Sequence, residues 1–200
     1  MRLVVATRNE HKLRELGEIL AGVELVLLPA DVDLPPEDGE AFADNALIKA
    51  RAARAATGEA AIADDSGIEA AALGGRPGVR SARYAGEGAT DEDNLSKLLR
   101  EDTAAGGDRR VAYVCALVHI DENGNERVFW GRCAGRLADA PRGDGGFGYD
   151  PAFIPDDTGP DDERTMGELD AATKHSISHR GRAARALARG LGLEPAEARR

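Results

Sequence analysis

Two periods of hydrophobicity divide the chain. Leu3 to Ala6 is an unbroken apolar run of strand length, and Leu13, Leu16 and Leu20 then recur at helical spacing. Thr7 and Glu10 have the spacing of a capping box, which predicts a helix opening within Thr7-Arg8-Asn9-Glu10-His11-Lys12. Glu24 to Leu28 predicts a second strand, and Asp31 to Gly39 an acidic loop bearing prolines. Ala41 to Ala56 predicts a helix with Phe42, Asn45, Ala46 and Lys49 on one face. A lysine buried there without a partner would be expensive, so Lys49 either meets an acid or a bound anion, or stays solvated at the helix edge.

Ala60 to Ala63 predicts a buried strand that stops at Asp64-Asp65 and a Ser66-Gly67 turn. Leu73 to Val79 is rich in glycine and proline and reads as a loop. Thr90 to Asp93 caps a short helix with Leu95, Leu98 and Leu99 as its apolar face. Arg110 to Ile120 and Glu126 to Leu137 predict long strands joined through an Asn123-Gly124 hairpin signal. A final helix is predicted from Arg182 to Leu191. This order of elements predicts a mixed α/β class, and 200 residues suit one large domain or two small lobes sharing a core.

Composition narrows the function. A net charge of −10 argues against a polymeric nucleic-acid partner, which usually demands a basic face. No apolar run approaches the length of a membrane span, and no signal-peptide pattern precedes Leu3. Cys115 and Cys133 read as thiols of a reducing cytoplasm or as a single disulfide, and neither belongs to a Cys-x-x-Cys zinc motif. Of 26 lysines and arginines only Lys12, Lys49, Lys97 and Lys174 are lysine. Such a bias leaves lysine where a compact ammonium matters, or arises by chance.

The candidate chemistry lies at the ends of the predicted elements. Asp64-Asp65 is either a solvated turn or a pair of carboxylates at the carboxyl end of a strand, where open α/β sheets bind ligands. The first turn of the Thr7–Lys12 helix is either an ordinary capped end or an anion site reinforced by Lys12. Gly143 to Pro151 formally matches G-x-G-x-x-G, but Pro151 follows and no amphipathic helix opens there. It reads instead as a glycine-rich hairpin end, or as a loop whose backbone approaches a ligand, with Phe147 and Tyr149 offering flat faces for a base. His175 and His179 are four apart but lack the further ligands a metal site needs.

Five blocks taken in order, TRNEHK, ADNALIKA, IADDSGIEAAALGGRPGVRSARYAG, GGFGYDPAFIP and KHSISHRG, resemble the inosine triphosphate pyrophosphatase family. The resemblance runs from Leu3 to about Leu191. It implies an elongated mixed sheet with flanking helices, forming two lobes around a nucleotide-binding cleft, usually as a cytoplasmic homodimer. It implies Mg²⁺-dependent hydrolysis of ITP, dITP and XTP to the monophosphate and pyrophosphate.

Carried over residue by residue, the segment Thr7, Arg8, Asn9, Glu10, His11 and Lys12 lies on the triphosphate, and Lys49 reaches the same phosphates. Asp65 matches the general base and a Mg²⁺ ligand, with Glu37 as a second acid holding the metal. Ser66 matches a substrate contact. Phe147, Gly148, Tyr149, Asp150, Lys174, His179 and Arg180 match the segments around the purine. Two positions depart from the family pattern. Asp44 replaces a glutamate, and Thr173 replaces an acid before Lys174, which leaves that lysine less firmly paired. A pyrophosphatase for pyrimidine or methylated nucleotides, and a nucleotide sensor without catalysis, are the competing readings.

Overall fold

A computed structural model describes residues 1–194, with all side chains except those of Glu10 and His11. Six strands form one mixed sheet in the order β2-β1-β3-β4-β5-β6. β1 (Arg2–Val5) pairs in parallel with β2 (Glu24–Leu27) and with β3 (Ala61–Ala70). β4 (Arg110–Ile120) and β5 (Glu126–Leu137) follow, and β6 (Phe153–Pro155) closes the sheet antiparallel to β5. The helices are α1 (Glu10–Ile19), α2 (Phe42–Thr57), α3 (Asp91–Ala104), α4 (Ala171–Ile177) and α5 (His179–Gly190).

The chain divides into two compact units. The first comprises Met1–Asp65, Cys115–Gly131 and the chain from His179 on; the second comprises Ser66–Val114 and Arg132–Ser178. The first is a sheet covered on both faces, and the two-residue period of a strand shows how. Leu3, Val5 and Ile62 pack with Leu16, Ile19 and Leu20 of α1 and with Ala183, Ala184 and Leu187 of α5. Val4, Ala61 and Ala63 point the other way, onto Ala46, Ala50 and Ala53 of α2. Strands covered on both sides read as continuous apolar runs, as Leu3–Ala6 and Cys115–Val118 do.

The second unit has its own core of Ile68, Leu95, Leu98, Val111, Tyr113, Phe153 and Met166. Tyr113 and Phe153 stack there with ring centroids 4.5 Å apart.

Four sequence expectations need correction. β3 does not stop at the aspartates but continues through Asp64-Asp65-Ser66-Gly67 to Ala70. Gly67 is no turn residue: a Cβ there would lie 2.4 Å from Ser81 Oγ and 2.6 Å from the Gly78 carbonyl oxygen, so the glycine admits a close neighbour. Thr7 does not cap α1. Asn9 does, its Oδ1 accepting the Lys12 N–H at 3.3 Å, while Thr7 Oγ1 accepts the Asn9 N–H at 3.1 Å. The last helix starts at His179, three residues before the apolar pattern suggests, and the capped helix α4 precedes it.

Candidate active site

Consecutive residues of a strand face opposite sides, and this separates the two aspartates of β3. Asp64 shares its face with Ile62, on the side of α1 and α5; Asp65 shares its face with Ala63, on the side of α2. Asp64 is 2% exposed and accepts from Lys12 Nζ at 3.0 Å and Arg180 Nε at 3.1 Å. Arg180 also donates through Nη1 to Glu15 at 2.5 Å. Burial pushes the Asp64 carboxyl up, but the charges of Lys12, Arg180 and Lys49 overcome it and hold the group well below the usual carboxylate range. Asp64 is therefore a committed anion, with its cations supplied by two helices.

Asp65 differs. It accepts a hydrogen bond from the Asn45 side-chain amide, Nδ2, at 2.9 Å. Burial raises its carboxyl above the usual value; Lys49 and the Asn45 hydrogen bond pull it down, and the negative Glu37 pushes it up again. Lys49, 6% exposed, pairs with Glu37 through a short Nζ–Oε1 contact. The buried lysine thus meets an acid, as its position on the helix face requires. A raised, buried carboxylate beside a lysine and a second acid is the arrangement expected of a general base and a hard-cation site.

Among the described residues no group of three or more His, Cys, Asp or Glu side chains converges. Mg²⁺ does not require one, since it binds through one or two carboxylates and completes its shell with water and phosphate oxygens. Glu37 and Asp65 are all-oxygen donors that repel each other, and a divalent cation relieves that repulsion. The pair fits the ion. The acidic pair of β3 does not act as one donor set, because Asp64 is engaged by Lys12 and Arg180. Asp44 is a capping residue, its Oδ2 accepting the Ala41 N–H at 3.1 Å.

The other expected phosphate contacts lie around the start of α1. Thr7 is buried and Asn9 is exposed at the cap; Ser66, expected only as a substrate contact, follows Asp65 on β3 half-buried. Arg8 turns to the neighbouring loop, where Nη2 donates to the Val32 carbonyl at 2.6 Å. The side chains of Glu10 and His11 lie outside the described residues.

In the second unit Asp150 organises the glycine-rich loop. It is buried and accepts from Tyr113 Oη at 2.9 Å, the Phe147 N–H at 3.0 Å and Lys174 Nζ at 2.7 Å. Lys174 is therefore firmly paired despite Thr173, which instead donates its N–H to the α4 cap Asp170 at 2.9 Å. Gly146 makes the pairing possible: a Cβ would stand 2.2 Å from Asp150 Oδ2, and its φ of +83° already favours glycine.

Phe147 is 40% exposed, with Lys174 Nζ 5.3 Å from its ring centroid. Tyr149 does not present a flat face. It is 5% exposed and donates its hydroxyl to the Ser81 carbonyl at 2.7 Å, so its ring belongs to the core. The Gly148 N–H donates to Asp91 Oδ2 at 2.7 Å. His179 and Arg180 begin α5 in the first unit, and Arg180 is turned into the Asp64 network.

Sequence reasoning passed over Glu15 and Tyr113. Glu15 left a signal, since it stands three residues after Lys12 on the same helix face. Tyr113 left none, being one residue in a continuous apolar strand.

A family model described as the Ham1 family matches residues 3–190. A dITP/XTP pyrophosphatase of Geobacter sulfurreducens is 46% identical over 98% of this chain and 99% of its own. One from Frankia alni is 50% identical over 94% of this chain and 96% of its own. Among solved structures, a HAM1 protein from Coxiella burnetii superposes with a TM-score of 0.88 at 39% identity, covering 96% of this chain and 98% of the other. The Staphylococcus aureus Ham1 protein gives 0.86 at 37% identity, with 96% and 98% covered.

Proposed function

The chain belongs to the Ham1 family, and from that premise we infer that it is a nucleoside triphosphate pyrophosphatase. It hydrolyses deaminated purine nucleoside triphosphates (ITP, dITP and XTP) to the monophosphate and pyrophosphate, clearing them from the nucleotide pool. The observation that carries the reading is Asp65, a carboxylate raised by burial and flanked by Asn45, Lys49 and Glu37.

In this reading Asp65 takes a proton from the attacking water, and Asn45 holds the carboxylate in register through its amide. The water adds to the α-phosphorus as the bond to the bridging α–β oxygen breaks, and pyrophosphate leaves. Lys12 and Lys49 hold the phosphates; Lys49 exchanges its contact with Glu37 for one with the substrate. Thr7 and Asn9 line the same end. Asp65 and Glu37 would hold Mg²⁺, which would neutralise charge on the phosphates. Within the second unit, Phe147 keeps an exposed ring face, with Lys174 held beside it by Asp150.

We place the enzyme in the cytoplasm as a homodimer. Cys115 and Cys133 are buried thiols outside any disulfide, as suits a reducing compartment. Sedimentation equilibrium tests the dimer.

Hydrolysis of ITP in ¹⁸O-labelled water tests the reaction. Attack at the α-phosphorus puts the label in IMP; label in inorganic phosphate or pyrophosphate would overturn it.

A further inference from the structure

The acidic loop that carries Glu37 meets α2 at two points. Lys49 pairs with Glu37, and one turn earlier on the same helix face Asn45 Oδ1 accepts the Gly39 N–H at 2.8 Å. The other end of that amide, Nδ2, donates to Asp65 Oδ2 on β3 at 2.9 Å. Asn45 is fully buried, and its two neighbours fix which way the amide points. An ionised carboxylate only accepts and a backbone N–H only donates, so turning the amide over would break both bonds.

Gly39 admits this contact by lacking a side chain. A Cβ there would stand 2.7 Å from Asn45 Oδ1 and 2.7 Å from the Asp44 Cβ, both anchored at the start of α2. A larger residue would therefore lift the loop off the helix.

The two holds on the loop are not equivalent. Lys49 is the cation that turns to the substrate's phosphates, and Glu37 then gives up that contact. The Asn45–Gly39 bond involves no group that phosphates would draw away, and it holds the loop two residues from Glu37. Ordering a loop at the moment of binding subtracts from affinity, and a contact made beforehand removes that cost.

We propose that Asn45 is a positioning residue that ties the Glu37 loop to Asp65, so that the two carboxylates keep their spacing in the metal-free protein and while Lys49 moves. The proposal rests on the pyrophosphatase reading above for Asp65 and Glu37 as Mg²⁺ ligands. It adds Gly39, whose missing side chain lets one amide reach both partners.

Calorimetric titration of the metal-free protein with Mg²⁺ alone tests the clamp. Asn45→Ala and Gly39→Ala should each weaken Mg²⁺ by about 10-fold or more, the loss typical where a group that orients a metal ligand is removed. Gly39→Ala leaves the Asn45 side chain in place and serves where Asn45→Ala fails to fold. In a Glu37→Gln background Gly39→Ala should cost less than about twofold, because the loop no longer brings a charge to the site. Equal losses in both backgrounds, or wild-type affinity in Gly39→Ala, would overturn the proposal. In the pyrophosphate assay Gly39→Ala should need about 10-fold more Mg²⁺ for its half-maximal rate and recover most of its kcat as Mg²⁺ saturates. A kcat that stays low at every Mg²⁺ concentration would mean a general structural fault and would also overturn it. Wild-type protein that binds Mg²⁺ more tightly than both variants but releases no pyrophosphate from ITP would overturn the activity and leave the clamp standing.

Discussion

Asp64 and Asp65 are neighbours with identical chemistry and opposite environments. Both lose water, but Asp64 gains two cations in direct contact, while Asp65 has a neutral amide, Lys49 and the opposing charge of Glu37. The consequences for stability have opposite signs. Asp64, depressed in the folded state, stabilises the fold above the unfolded value of about 3.9 and loses that contribution as pH falls through its folded value. Asp65, raised in the folded state, costs stability as pH rises from about 3.9 through its folded value. Metal-free Asp65→Asn should therefore melt higher than the wild type at neutral pH, while its kcat falls on the order of 100- to 10,000-fold. A differential scanning melt and a pyrophosphate assay check the pair of effects. A variant with near-normal turnover would remove Asp65 from the chemistry. Acid titration of Asp64→Asn should show less loss of stability below about pH 4 than the wild type shows.

At the scale of elements, a helix cap and a close glycine contact hold the segments near the site in place. Asn9→Ala removes the cap of α1 and should destabilise by about 1 kcal/mol in urea denaturation. A change of a few tenths would mean that the Thr7–Asn9 turn holds itself. Gly146→Ala forces a Cβ onto the Asp150 carboxylate at a positive φ, and should cost roughly 1–3 kcal/mol of strain and free Lys174 from its partner. A crystal structure with the Lys174–Asp150 contact intact would contradict this.

The same scale explains what was legible in the sequence. β4 and β5 were readable to the residue, because a continuous apolar run and an Asn-Gly turn are local signals. The buried face of α2, with Asn45 and Lys49, followed from helical spacing. The continuation of β3 was not readable. Two carboxylates inside a strand look like a turn until their partners arrive from α1, α2 and α5, far away in the chain. Tyr149 was misjudged for a like reason, since its acceptor on Ser81 is a tertiary contact. α4 has no apolar stripe and depends on its Asp170 cap.

For the whole molecule, charge and lysine placement agree. The chain carries a net −10, yet Lys12, Lys49 and Lys174 each hold a carboxylate. These local cations suit a small polyanion and not a long one. Lys12→Ala and Lys49→Ala should each weaken ITP far more than inosine, measured by calorimetry, and equal losses would contradict the phosphate assignment.

Selectivity for deaminated purines can be read from steady-state pyrophosphate release from ITP, GTP and ATP. Hypoxanthine differs from guanine by one amino group, and burying that donor unpaired costs roughly 1–3 kcal/mol, about 5- to 150-fold. The kcat/KM for ITP should exceed that for GTP by at least about 100-fold, near the top of that range, with ATP no better than GTP. Comparable efficiency on GTP would contradict it, even with pyrophosphate as the product.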